Sequence, residues 1–90
     1  MKHTHYDLGN LNGGEIVEVT LSGTEANVCL MDDSNFRSYR AGRSFRHAGG
    51  HFKQSPVRLA VPGMGRGHVT VDLGGFGGSV SSSVRVIGAN

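Results

Sequence analysis

The strongest pattern in the chain is an alternation of apolar and polar residues, which is typical of β-strands with one buried face. Two such runs lie close together, at residues 15–21 and 26–31. Their inward positions are Val17, Val19 and Leu21 in the first run and Ala26, Val28 and Leu30 in the second. Because only a short loop joins the two runs, we predict that they form a hairpin.

Further alternating runs at residues 57–61, 68–73 and 80–86 predict three more strands, the last with Val80, Val84 and Val86 on its inward face. Two shorter stretches, near residues 5–8 and 45–47, bring the total to about seven. Fifteen glycines, many of them clustered between the runs, supply turn residues. This organisation predicts an all-β fold, either a small antiparallel β-sandwich or a partly open barrel.

One short helical turn is predicted near residues 33–41. Asp32 or Asp33 can cap its N-terminus, where a negative charge is favourable. Phe36 and Tyr39 stand three residues apart and form an apolar stripe, and Gly42 is a natural helix stop.

The length of 90 residues predicts a single domain that spans residues 1–90. With one cysteine, Cys29, an internal disulfide and a four-cysteine zinc site are excluded. The chain has no apolar run near the roughly 20 residues of a membrane helix, and no apolar signal-peptide stretch at its N-terminus. We therefore expect an intracellular, cytoplasmic protein without membrane contact.

The charges are sharply segregated along the chain. Residues 34–71 contain seven arginines and lysines and no acidic residue, whereas all seven acids lie in the flanks. A segregated basic segment is expected to face an anionic partner. The candidate anion-binding residues are Arg37, Arg40, Arg43, Arg46, Lys53 and Arg66.

Aromatic residues are interleaved with these basic side chains: Phe36, Tyr39, Phe45 and Phe52. Arginines hold phosphates and aromatic rings stack on bases, so the pattern suits a nucleotide or a single-stranded nucleic acid. In the alternative interpretation, the aromatic rings fill the core and the arginines are solvated. The arginines do not form one stripe, because three-residue spacing on a strand places Arg43 and Arg46 on opposite faces.

Histidines offer a second candidate site. His3 and His5 would share one face of a strand, and His47 and His51 bracket two glycines. These four histidines are the candidate metal ligands, although their spacing matches no known metal motif.

Other motifs indicate structure rather than chemistry. The Gly-rich stretches at residues 63–67 and 74–78 are followed by strands, so we predict hairpin turns in place of phosphate loops. Cys29 is predicted to be a buried structural thiol, and the serines at 81–83 are polar strand residues. No catalytic constellation is present, so we expect a protein that is not an enzyme and needs no cofactor.

The chain resembles a bacterial family known as domain of unknown function 1883. The residues that carry the resemblance span nearly the whole sequence and include residues 5–9, 14–21, 26–28, 30–32, 55–58 and 68–72, together with Asn35, Phe36, Tyr39 and Pro62. The resemblance implies an all-β fold. Some members of the family are N-terminal modules fused to TIR-type signalling domains, which implies a role in sensing or recognition, and no catalytic residues are established for the family.

From these observations we expect a small non-catalytic recognition module that contacts an anionic ligand through its basic middle segment. The ligand could be a nucleotide, a nucleic acid or an acidic protein partner. Two alternatives remain: a histidine-dependent metal site, and a structural domain that forms a homodimer through an exposed strand edge.

Overall fold

The computed structural model describes residues 3–75 and 77–88. In these residues it contains seven strands and one helix: β1 (Thr4–Leu11), β2 (Ile16–Gly23), β3 (Ala26–Asp32), α1 (Asp33–Arg40), β4 (Ala48–Phe52), β5 (Val57–Ala60), β6 (Gly65–Asp72) and β7 (Val80–Ile87). The predicted strands at residues 15–21, 26–31, 57–61, 68–73 and 80–86 are confirmed within a few residues. The predicted strand near residues 5–8 is confirmed as β1, but residues 45–47 are not a strand, and β4 begins at Ala48.

The strands form two antiparallel sheets packed face to face. The four-stranded sheet has the order β1-β6-β3-β4, and the three-stranded sheet has the order β5-β2-β7. The predicted all-β sandwich is therefore confirmed, and the sheets do not close into a barrel. Buried apolar residues between the sheets form the core: Leu11, Val17, Val19, Ala26, Val28, Leu30, Val57, Val61, Val69 and Val71.

The connections between strands were predicted wrongly. β2 pairs with β5 and β7, whereas β3 pairs with β4 and β6, so residues 15–21 and 26–31 lie in different sheets and do not form a hairpin. The glycine stretches at 63–67 and 74–78 are not hairpin turns either, because β5 and β7 belong to one sheet and β6 to the other. The short loop after β2 crosses between layers, so that the alternating apolar faces of β2 and β3 meet across the core.

Strand β7 lies at the edge of its sheet, and one of its three predicted core residues is exposed. Val80 and Val84 pack against the core, as their alternation predicts. Val86 shares their parity but is 40% exposed. Ile87 beside it is also 38% exposed, so this end of the edge strand is open to solvent.

Helix α1 covers part of the outer face of the four-stranded sheet, the face turned away from the core. The side chain of Asp32 accepts a hydrogen bond from the backbone nitrogen of Asn35 and caps the helix. Phe36 is buried against Cys29 and Met31 of β3, and Tyr39 packs beside them. The helix ends before Gly42, whose φ of +74° is readily adopted by glycine. The predicted short helix is thus confirmed.

In the described part of the chain, no helix has the length and apolar character needed to cross a membrane.

Candidate functional site

The outer face of the four-stranded sheet collects polar side chains because its strands alternate. Val69 and Val71 of β6 face the core, so the residues between and beside them, His68, Thr70 and Asp72, face outward. All three are nevertheless buried, because α1 and its following loop cover them. This layer of polar residues beneath α1 is the floor of the candidate site.

One cavity at the end of α1 combines cationic and aromatic side chains. It measures about 230 Å³ and is lined by His3, Tyr39, Arg40, Gly42, Arg43 and Phe45. We call it the arginine compartment. The helix carries Arg40, and the turn at Gly42 brings Arg43 back to the same cavity.

The arginines of this region are not neutralised by any carboxylate in the described part of the chain. Among the described residues, Arg37, Arg40, Arg43 and Arg46 make no ion pair with a carboxylate. The guanidinium of Arg40 lies over the Phe36 ring, 5.6 Å from its centroid. These four unpaired cations therefore give α1 and the loop that follows it a local excess of positive charge.

Two of the candidate anion-binding residues are separate from this group. Arg66 is paired with Asp7, at 2.5 Å between its Nη2 and a carboxylate oxygen. The hydrogen bond from Arg66 lowers the pKa of Asp7 to about 2. Lys53 lies 3.9 Å from Glu25, which directly precedes β3. The structure thus places Arg40 and Arg43 at one cavity and does not bring Lys53 or Arg66 to it.

The remaining two arginines lie on the opposite side of the sandwich. Arg58 of β5 and Arg85 of β7 both bind the carboxylate of Glu18 on β2, at 2.9 and 2.7 Å from their Nε atoms. Glu18 is only 8% exposed, and the hydrogen bond from Arg85, assisted by the one from Arg58, lowers its pKa. This triplet ties together the three strands of the three-stranded sheet.

His5 and His68 form a hydrogen-bonded pair that sequence reasoning did not find. His5 Nε2 lies 2.8 Å from His68 Nδ1, and His68 Nε2 contacts the carboxylate of Asp33 at the start of α1. The Phe36 ring stacks on both imidazoles, at centroid distances of 4.1 and 4.5 Å. Burial, with a contribution from the charge of His68, lowers the pKa of His5.

The four candidate metal ligands do not converge. His3 and His5 lie on the same side of the molecule, beside Phe36, as predicted. His47 contacts Phe45, and His51 hydrogen-bonds to Asn27. Within residues 3–75 and 77–88, no group of three or more histidine, cysteine or acidic side chains is arranged to hold a metal ion.

Asp72 is the centre of a second network that sequence reasoning missed. Its carboxylate accepts hydrogen bonds from the Tyr39 hydroxyl at 2.7 Å, from Asn27 Nδ2 at 2.9 Å and from the Gly74 backbone nitrogen at 2.8 Å. Burial, together with the hydrogen bond to Asp72, raises the pKa of Tyr39. Three donors thus stabilise an anionic side chain that is only 6% exposed.

A second cavity lies above this network. It measures about 280 Å³ and is lined by Asn27, Cys29, Tyr39, Phe45, His47, Gly50 and Asp72. We call it the polar-floor compartment. Cys29 is buried, as predicted, and this burial raises the pKa of its thiol to about 11. The thiol is therefore protonated at neutral pH and is a poor nucleophile.

One signal in the sequence could have pointed to these missed residues. The alternation that places Val69 and Val71 inward also places His68 and Asp72 on one outward face. Their partners come from β1, β3 and α1, and only the sheet register brings those elements alongside β6.

The model of the family described as Domain of unknown function (DUF1883) matches residues 1–90, the whole chain. The chain belongs to this family. The resemblance seen in the sequence is thereby confirmed. No curated protein and no solved structure matches the chain.

Proposed function

We propose that this member of the DUF1883 family is a non-catalytic binding module whose arginine compartment holds a small anionic ligand. One observation carries the proposal: Arg40 and Arg43 line the same cavity, and neither has a carboxylate partner among the described residues. Other basic side chains, such as Arg58 and Arg66, are held by acids. Cations that the fold leaves unpaired at a cavity are available to an external anion.

The shape of the cavity favours a small anion over a long nucleic acid. At about 230 Å³ the arginine compartment has room for a phosphate-sized group, with Tyr39 and Phe45 as aromatic walls. Guanidinium groups bind phosphate and carboxylate oxygens through paired, charge-assisted hydrogen bonds. The metal-site alternative has no comparable support, because no three histidine, cysteine or acidic side chains among the described residues are grouped to hold a metal ion.

The proposal is tested by titrating the full chain with inorganic pyrophosphate, followed by amide chemical shifts at low and at high salt. We expect shifts centred on residues 39–46 at low salt. The affinity should fall as salt rises, because exposed charges are screened over about 10 Å at 0.1 M ionic strength.

Matched variants make the test specific. Arg43→Ala removes one cation from the compartment, and Lys53→Ala removes one cation that lies beside Glu25 instead. Because a hydrogen bond to a charged group contributes about 1.5–3 kcal/mol, we expect Arg43→Ala to weaken binding roughly 10- to 150-fold. Lys53→Ala should change it less than about twofold. Equal losses in the two variants, or no shifts at low salt, would contradict the proposal.

A further inference from the structure

We infer that the ligand is a nucleoside monophosphate, whose phosphate lies in the arginine compartment and whose base lies in the polar-floor compartment. This inference rests on the proposed function, because it assigns the anionic end of the ligand to Arg40 and Arg43. It adds a second contact region and a chemical class.

The two compartments are adjacent because they share two walls. Tyr39 and Phe45 line both of them. The two rings meet edge to face, with centroids 5.1 Å apart. At about 230 and 280 Å³, each compartment falls below the roughly 300 Å³ at which small-molecule sites begin, whereas the two together exceed it. A ligand with an anionic group at one end and a larger group at the other would therefore occupy both compartments, whereas a free anion would occupy only one.

The surroundings of the polar-floor compartment suit a planar heterocycle. Phe45 lines both compartments, and His47 lies beside it, with ring centroids 5.0 Å apart. Aromatic rings stack on any nucleobase because each base has a π-face. Gly50 of β4 also lines the compartment, through its backbone.

The floor retains hydrogen-bonding capacity after its internal bonds are counted. Asp72 Oδ1 accepts two hydrogen bonds, from Asn27 and Gly74, whereas Oδ2 accepts one, from Tyr39. A carboxylate oxygen can accept two, so Oδ2 can accept one more. Asn27 Nδ2 donates one hydrogen bond to Asp72 and has a second N–H. One acceptor beside one donor can pair with the edge of a base, which presents both kinds of group.

Calorimetric titration of the full chain with AMP, CMP, GMP, UMP, ribose 5-phosphate and adenosine tests this inference. Stacking of one base on an aromatic side chain changes affinity by roughly 5- to 150-fold. We therefore expect at least one nucleotide to bind at least fivefold more tightly than ribose 5-phosphate. Adenosine should bind weakly, because it lacks the phosphate.

Two variants separate the compartments. His47→Ala removes an aromatic side chain that lines only the polar-floor compartment, and we expect it to bring nucleotide affinity down towards that of ribose 5-phosphate while leaving ribose 5-phosphate binding unchanged. Arg43→Ala should weaken nucleotides and ribose 5-phosphate alike. Amide chemical shifts of the unligated variants that match those of the unligated wild type, away from the substituted residue, would show that both variants retain the fold.

The outcomes also distinguish this inference from the proposed function. If ribose 5-phosphate binds as tightly as every nucleotide, and Arg43→Ala weakens it, the anion site stands and the base compartment is refuted. If nucleotides keep their full advantage in His47→Ala, the base lies elsewhere and the inference is wrong. If none of the phosphates binds, both proposals fail together.

Discussion

The hydrogen bond between Tyr39 and Asp72 should be one of the strongest single polar contacts in this protein. It joins α1 to β6 at 2.7 Å and satisfies a carboxylate that is only 6% exposed. Tyr39→Phe removes the hydroxyl and keeps the ring. Because a hydrogen bond to a charged group contributes about 1.5–3 kcal/mol, we expect the free energy of unfolding to fall by about 2 kcal/mol.

Tyr6→Phe provides a matched comparison in the same protein. The Tyr6 hydroxyl donates to the Ser82 carbonyl oxygen at 2.8 Å and lies 2.7 Å from the Ser82 hydroxyl. Both of these groups are uncharged, so we expect a loss of only about 1 kcal/mol. The two substitutions remove the same atom and differ in the charge of the group left behind.

Thermal denaturation can resolve this difference. For a domain of 60–100 residues, 1 kcal/mol corresponds to a change of roughly 4–8 °C in Tm. Tyr39→Phe should therefore lower Tm about twice as much as Tyr6→Phe. A loss in Tyr39→Phe no larger than that in Tyr6→Phe would show that the Asp72 carboxylate does not depend on this donor, and the description of the network would be wrong.

Three further predictions concern other parts of the chain. Gly49→Ala should lower Tm markedly, because Gly49 has a φ of +99° and an alanine Cβ there would collide with a backbone oxygen of β3. Gly50→Ala should leave Tm nearly unchanged, because a Cβ at Gly50 meets no atom within 4 Å. Similar Tm values for the two variants would contradict this prediction. The pKa of Asp7 is about 2, below its ordinary 3.8, so the ion pair with Arg66 stabilises the fold above about pH 4 and this stabilisation is lost as the pH falls towards 2. The stabilities of the wild type and Asp7→Asn should therefore differ near pH 5 and converge near pH 2, as measured by acid unfolding. Cys29 should react with a thiol reagent at pH 8 only on the timescale of unfolding, and rapid labelling of the native protein would refute its burial.

The local elements of this fold could be predicted because their signals are local. Val17 and Val19 alternate with polar residues, and this pattern alone predicts a strand with one buried face. Asp32 precedes the helix and Gly42 follows it, so capping chemistry indicated both of its ends. Phe45 is a position where local signals led to a wrong prediction. A strand was predicted near residues 45–47, but Phe45 lies in a loop and its ring packs against Tyr39.

The candidate site could be predicted only in part. The basic segment contains Arg40 and Arg43, which line one cavity. It also included Lys53 and Arg66, whose ion pairs with Glu25 and Asp7 depend on residues far away in the sequence. A count of charges cannot show which cations the fold neutralises.

The sequence by itself determined the class of the fold, the positions of most strands, the short helix and the location of the basic segment along the chain. Only the tertiary structure decided that β2 and β3 belong to opposite sheets, that His5 meets His68, and that Tyr39 binds Asp72. The physical reason lies in the range of the interactions. Alternation and capping depend on neighbours a few residues away, whereas sheet order and register depend on contacts between distant strands. A short loop such as the one after β2 can join two strands of the same sheet or two strands of opposite sheets.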